Sequence, residues 1–156
     1  MLVRTIWGME VFMYKTYLCI DLKSFYASVE CVELGLDPFE VNLVVADPTR
    51  GGGAITLAAS PAIKKLGVSS RGRIYEIDST IEYMITPPRM HLYMEYSCKV
   101  YKVFLEFIAK EDIHVYSIDE SFLDVTSYLK LYKISARELE KKYWIVSMKK
   151  QVLQLL

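Results

Sequence analysis

HVYSIDESFLDV, residues 114–125, sets Asp119 and Glu120 side by side inside an otherwise apolar, strand-like run. Burying a carboxylate without a partner costs several kcal/mol or more, so such acids need a counter-charge. Neighbouring strand residues point to opposite faces. The two acids can therefore share one site only where that alternation breaks, at a hairpin tip. The run reads as two short strands meeting near Asp119-Glu120, and a bound divalent cation is the candidate partner.

Working outward, YLCID (17–21) is a short apolar run ending in an acid, the pattern of a buried strand whose last residue emerges at its carboxyl end. Ser24 offers a helix cap. Phe25, Val29 and Val32 follow at helical spacing until Gly35 and Asp37-Pro38 stop the helix. NLVVAD predicts a second strand, the glycines Gly51 to Gly53 a turn, and AITLAAS its hairpin partner. The glycines lack the Gly-Lys-Ser/Thr ending of a phosphate loop, so a hairpin turn is the better reading. Ser60-Pro61 is a cap with proline at the first helical position, and Gly67 ends that short helix. An amphipathic helix is predicted from about Pro88 to Lys110, with Tyr93, Tyr96, Val100, Val103, Phe104, Phe107 and Ile108 as its apolar stripe. A last helix starts at Ser135, which forms a capping-box spacing with Glu138.

This order predicts an α+β fold: an incomplete ferredoxin-like βαββα unit with a small inserted unit at about residues 40–80. In such a sheet the first strand can lie beside the hairpin, bringing Asp21 near Asp119. Three carboxylates from Asp21, Asp119 and Glu120 would repel unless cations filled the gap. Hard oxygen ligands from a few carboxylates, completed by water and phosphate oxygens, suit Mg²⁺. Two such ions can clamp the attacking and leaving oxygens of phosphoryl transfer. On spacing alone the metal site is a weak signal, and an acidic pair in a solvated turn with an unrelated strand-end acid is the favoured reading. Asp124, in the same run, reads as an ordinary surface acid.

Composition bounds the rest. Apolar residues make up 53% of the 156-residue chain and aromatics 13%, enough for one folded domain with a core. Lys+Arg and Asp+Glu are 19 each, so net charge excludes no partner. The distribution is informative: no acid falls between Asp47 and Glu76, where Arg50, Lys64, Lys65, Arg71 and Arg73 lie. That patch suits a phosphate-bearing partner or a solvated basic face. Cys19, Cys31 and Cys98 have no metal-type spacing and read as buried free thiols in a reducing compartment. There is no signal-peptide pattern and no apolar stretch of the length a membrane span needs, which predicts a cytoplasmic protein.

YLCIDLKSFYASVECVE together with VYSIDESFLDV closely resembles the Y-family (translesion) DNA polymerases, and LAASPAIKKLGV and PPRMHLYMEYS resemble the UmuC-type branch. The motifs fall in family order over roughly residues 17–140. The resemblance implies a palm with a small fingers unit, DNA-directed DNA polymerase activity in damage bypass and DNA repair, and a place in the SOS response. It implies two Mg²⁺ ions, with Asp21 and Asp119 binding both, Glu120 completing the shell of the ion that activates the primer 3′-hydroxyl, and the Leu22 carbonyl touching the nucleotide-side ion. Tyr26 stands at the family's steric gate against ribonucleotides, and Lys64 at a basic position that contacts the incoming triphosphate. Many relatives carry tyrosine where this chain has Pro61, so that hydrogen bond is absent. Primer–template DNA and deoxynucleoside triphosphates are the implied partners. A sliding clamp stays open, since the family's clamp-binding peptide lies in a region this chain lacks.

The family's last palm strand, thumb and outer DNA-gripping domain are not in the sequence. Residues 1–16 read as an atypical extension, 17–142 as the palm with fingers insertion, and 143–156 as a divergent tail, so the chain reads as a truncated N-terminal fragment, inactive or nearly so alone. The alternatives are a non-catalytic remnant that only binds partners, and a nucleotidyl cyclase, against which Tyr26 in SFYASVE and the inserted unit both argue.

Overall fold

The structure is a computed structural model that describes the backbone of residues 5–6, 9–10 and 15–149 and the side chains of residues 15–142. Most of the predicted N-terminal extension and the end of the divergent tail lie outside the described residues. In chain order the elements are β1 (Thr5–Ile6), β2 (Met9–Glu10), β3 (Tyr17–Asp21), α1 (Phe25–Glu33), β4 (Leu43–Val45), β5 (Ala58–Ala59) and α2 (Pro61–Lys65). There follow β6 (Met84–Thr86), α3 (Met90–Phe104), β7 (Ile113–Val115), β8 (Glu120–Asp124), α4 (Thr126–Tyr132) and α5 (Ala136–Lys149). Among the described residues β1 and β2 pair with each other.

HVYSIDESFLDV folds as β7, a tight turn and β8. β3 lies antiparallel against β8 in a sheet ordered β3-β8-β7. Leu18 sits opposite Leu123 and Ile20 opposite Ser121, and the apolar members of this set pack into the core. The alternate set, Tyr17, Cys19 and Asp21 opposite Asp124, Phe122 and Glu120, occupies the other face, where Tyr17 and Cys19 are exposed. The period-two pattern thus leaves one face of this sheet to the helices and the other open.

The core runs from Leu123 through α3 and α1 to Leu43, Val45 and Ala58 of a second sheet. α1 buries Phe25, Ala27, Ser28, Val29, Glu30 and Cys31, more than one stripe, because it packs on α3 as well as on β4 and β5. The second sheet has the order β5-β4-β6, with β6 parallel to β4. Leu43 and Val45 face α1, while Val44 joins Ala59 and Ile63 in a separate small cluster. Burial on both faces accounts for the unbroken apolar run in NLVVAD.

Several sequence expectations are corrected. The inserted unit is larger than a hairpin, because Met84–Thr86 adds a third strand. The long helix starts at Met90 and stops at Phe104; the chain then turns so that Ile108 re-enters the core. The glycine turn is a short 3₁₀ segment, Pro48–Gly53, whose Gly51 takes φ 54°, a conformation favouring glycine. Cys31 is buried, and burial pushes its thiol up to about 11, but Cys19 and Cys98 are exposed. Among the described residues no helix is long and apolar enough to cross a membrane.

Asp124 is not an ordinary surface acid. It accepts hydrogen bonds from Thr126 Oγ1 at 2.6 Å, Lys15 Nζ at 2.9 Å and the Thr126 amide at 3.2 Å. The Thr126 hydroxyl first and Lys15 second hold its carboxyl below the ordinary value. A depressed carboxyl stabilises the fold above its unfolded value of about 4, and that contribution is lost as pH falls through the lower folded value. Asp124→Asn should therefore flatten the acid limb of a Tm-against-pH curve below about pH 4 and leave its shape near neutrality unchanged. An identical acid limb in the variant would contradict this.

Candidate active site

The site forms where β3 ends. The Leu22 amide donates to the Asp119 carbonyl at 2.9 Å, tying the strand end to the β7–β8 turn. Tyr116 and Ser117 amides both donate to the Glu120 carbonyl, closing that turn. Asp119 therefore sits in the turn, free of strand alternation, with Oδ1 accepting from Ser117 Oγ at 2.7 Å. Glu120 is already the first residue of β8, facing Asp21 across the ladder.

A cavity of about 620 Å³ opens here, lined by Asp21, Leu22, Tyr26, Lys64 and Asp119 among others. Five of the six expected site residues thus share one cavity. Glu120 is not among its lining residues; its Oε1 accepts from Cys19 Sγ at 3.7 Å on the open sheet face. The hairpin tip breaks alternation at Asp119 only, so the adjacent acids diverge rather than converge. Among the described residues, no group of three or more carboxylate, histidine or cysteine side chains is arranged to hold a metal ion. Two carboxylates remain as a hard-oxygen pair at the cavity, a donor set that fits Mg²⁺ when phosphate and water oxygens complete its shell.

Ser24 departs from its predicted role. It holds φ 56°, ψ 22°, a left-handed conformation costing a non-glycine residue about 1–2 kcal/mol, and makes no side-chain cap. Its hydroxyl instead accepts from Lys64 Nζ at 2.8 Å. Lys64 is placed by Ser60, whose buried hydroxyl caps α2 through the Ile63 amide while bonding Val41 and Leu43 at the start of β4. Desolvation lowers the Lys64 ammonium below its ordinary range, and the Asp21 charge partly offsets this. Lys23, Lys65 and Arg71 also line the cavity, so a cationic rim faces the two acids. Burial, then the Asp119 charge, pushes the Tyr26 phenol up.

Behind the cavity lies a group that sequence reasoning did not reach. Tyr26 stacks on Tyr93 with ring centroids 4.4 Å apart and planes 10° apart. The Tyr93 hydroxyl donates to Glu30 Oε1 at 2.7 Å, and Glu30 is gripped by Arg89 through Nε and Nη2, the shortest contact 2.6 Å. One turn along, Tyr96 donates to Glu33 at 2.7 Å, and burial pushes its phenol up to about 12. The available signal was Glu30 itself, an acid amid the apolar face of FYASVECVE, which demands a buried partner.

The mixed α/β fold with its small sheets matches the palm-and-fingers region of solved Y-family polymerase structures. Residues 20–156 match the sequence model of the impB/mucB/samB family, and the chain belongs to that family, which places it among the Y-family DNA polymerases and DNA repair proteins. UvrX of Bacillus subtilis (strain 168), named for UV-damage repair, is 44% identical over 114 residues, 72% of this chain and 27% of UvrX. DNA polymerase IV 2 of the same strain is 35% identical over 122 residues, 76% of this chain and 28% of that protein. A Y-family DNA polymerase chimera of Dbh and Dpo4 shares the fold with a TM-score of 0.72 at 24% identity, over 86% of this chain and 39% of its own. The chain spans little more than a quarter of the two curated relatives.

Proposed function

We propose that the cavity binds a Mg²⁺-bound deoxynucleoside triphosphate against a primer–template DNA, the nucleotide site of a translesion-type DNA polymerase. The observation that carries this reading is the meeting of Asp21 and Asp119, distant in the chain, on one cavity with Tyr26 and Lys64. In this reading residues 17–142 are the palm, with a fingers insertion at about 40–80 that supplies Lys64. Up to two Mg²⁺ ions, when bound, would lower the pKa of the primer 3′-hydroxyl and neutralise the triphosphate. Asp21 and Asp119 would hold them, with the Leu22 carbonyl as a further oxygen, and Glu120 would join by turning its side chain from Cys19. Lys64 would oppose the charge that builds on the departing pyrophosphate. Tyr26 would lie under the sugar and exclude a 2′-hydroxyl by contact.

Isothermal titration tests this. The chain should bind dATP only with Mg²⁺ and should prefer it to ATP; Tyr26→Ala should remove most of that preference. Lys64→Gln should weaken dATP by about tenfold, the order of a lost charge-assisted contact. Equal affinity for both nucleotides in the intact chain would overturn the reading.

A second reading, a binding module without catalysis, is favoured by one observation, the Glu120 side chain turned to Cys19. Duplex DNA is held mainly through phosphate contacts, and the chain spans 27% of UvrX. We expect this 156-residue chain alone to give primer extension near background. Robust Mg²⁺-dependent extension that Asp119→Ala abolishes would contradict that expectation and favour full catalytic competence.

A further inference from the structure

We infer that Tyr93, anchored by the Glu30–Arg89 ion pair, is a positioning residue that backs Tyr26 and sets how strongly the cavity rejects a 2′-hydroxyl. The inference rests on the nucleotide-binding reading of the cavity. Tyr26 lines the cavity, whereas Tyr93 is fully buried behind it and touches no cavity space.

A side chain excludes an extra hydroxyl only if it cannot yield. An aromatic ring with free volume behind it can tilt, because rotation about its first side-chain torsion carries the whole ring. Behind Tyr26 there is no such volume: the Tyr93 ring lies nearly parallel at a centroid distance of 4.4 Å. Tyr93 cannot retreat either. Its hydroxyl is held at 2.7 Å by Glu30, and the Glu30 carboxylate is fixed by a bidentate contact with Arg89. Glu30 lies four residues after Tyr26, so α1 presents both on one face. Tyr93, from α3, is thus held between two residues of one helix, its ring on Tyr26 and its hydroxyl on Glu30. The buried ion pair transmits stiffness to the gate through one ring.

Two readouts test this on the full chain. Fluorotyrosine at position 26, read by fluorine NMR, reports the stacked ring directly and needs no nucleotide. Titration of dATP and ATP with Mg²⁺ gives the deoxy-over-ribo affinity ratio. Wild type should show a resonance shifted by the facing ring. In Tyr93→Leu the resonance should move toward that of free fluorotyrosine, and the ratio should fall about fivefold, the scale of an aromatic-pair contact. Affinity for dATP itself should change less than about twofold, since Tyr93 makes no contact with the cavity. Tyr93→Phe keeps the ring and gives up the anchor; it should retain the shift, broaden the line and lower the ratio about twofold, within the worth of one neutral hydrogen bond. Circular-dichroism melting establishes that each variant is folded, and the Phe variant carries the test if the Leu variant is not.

An unmoved resonance overturns the positioning. A moved resonance with an unchanged ratio overturns the role in sugar selection. A wild-type chain that keeps the shifted resonance yet binds neither nucleotide upholds the positioning and instead overturns the nucleotide reading of the cavity.

Discussion

Asp119→Asn is expected to lower Mg²⁺-dependent affinity for dATP by at least about 10- to 100-fold, a loss that changes to mere supports of metal ligands already cause. The substitution is nearly isosteric. The amide oxygen can still accept the Ser117 hydroxyl that Oδ1 accepts now at 2.7 Å, and the backbone bond from Leu22 to the Asp119 carbonyl is untouched. Thermal stability should stay close to wild type, so the loss would report the charge and not the fold. Glu120→Gln supplies the contrast. Its side chain meets Cys19 on the open sheet face and does not line the cavity. Nucleotide affinity should change less than at Asp119, by under about tenfold, because Glu120 must turn from Cys19 before it can reach a bound ion. Equal losses at both positions would contradict the divergence of the two acids.

Arg89→Leu is expected to destabilise the fold by about 3–5 kcal/mol, the cost of stranding one member of a buried ion pair. The asymmetry of burial decides which member matters. The Glu30 side chain is 3% exposed and the Arg89 side chain 46%. Losing Arg89 leaves a buried carboxylate with only the Tyr93 hydroxyl; losing the charge of Glu30 leaves a guanidinium that water can reach. Glu30→Gln should therefore cost clearly less than Arg89→Leu, on the order of 1–2 kcal/mol, since its amide can still accept from Tyr93. Urea midpoints at constant slope measure both. A larger loss for Glu30→Gln would mean that the pair is not buried as described.

Most of the scaffold was legible because local chemistry and tertiary structure agree. The strand Tyr17–Asp21 ends at its acid as the apolar run predicts. Ser60-Pro61 starts α2, and Ser135 and Glu138 form the capping box at the last helix. Where the two levels disagree, the sequence misleads. Ser24 has the composition of a cap, yet its backbone is left-handed and its hydroxyl serves Lys64. Met84–Thr86 is too short to announce a strand, and only its parallel partner β4 makes it one. α4 was missed because TSYLKLY has no periodic stripe; Asp124, read as a surface acid, holds only its first residue, Thr126.

The site was legible in part for the same reason. Asp21, Tyr26, Lys64 and Asp119 lie on β3, α1, α2 and the hairpin turn, Leu22 directly follows β3, and strand order brings these elements together. The separation of Asp119 from Glu120 depends on which residue is the last of the turn, a one-residue distinction that hydrophobic pattern does not resolve. The support behind Tyr26 joins residues about 60 positions apart, and only packing reveals it.

The central claim is that Asp21 and Asp119 make one metal–nucleotide pocket. Adding Mn²⁺ with dATP to labelled protein and following paramagnetic broadening of backbone amides tests it most directly. Amides at 21–24 and 117–120 should broaden first and together, with those of α5 unaffected at the same metal level. Broadening confined to one of these segments, or spread evenly over the acidic surface, would contradict it.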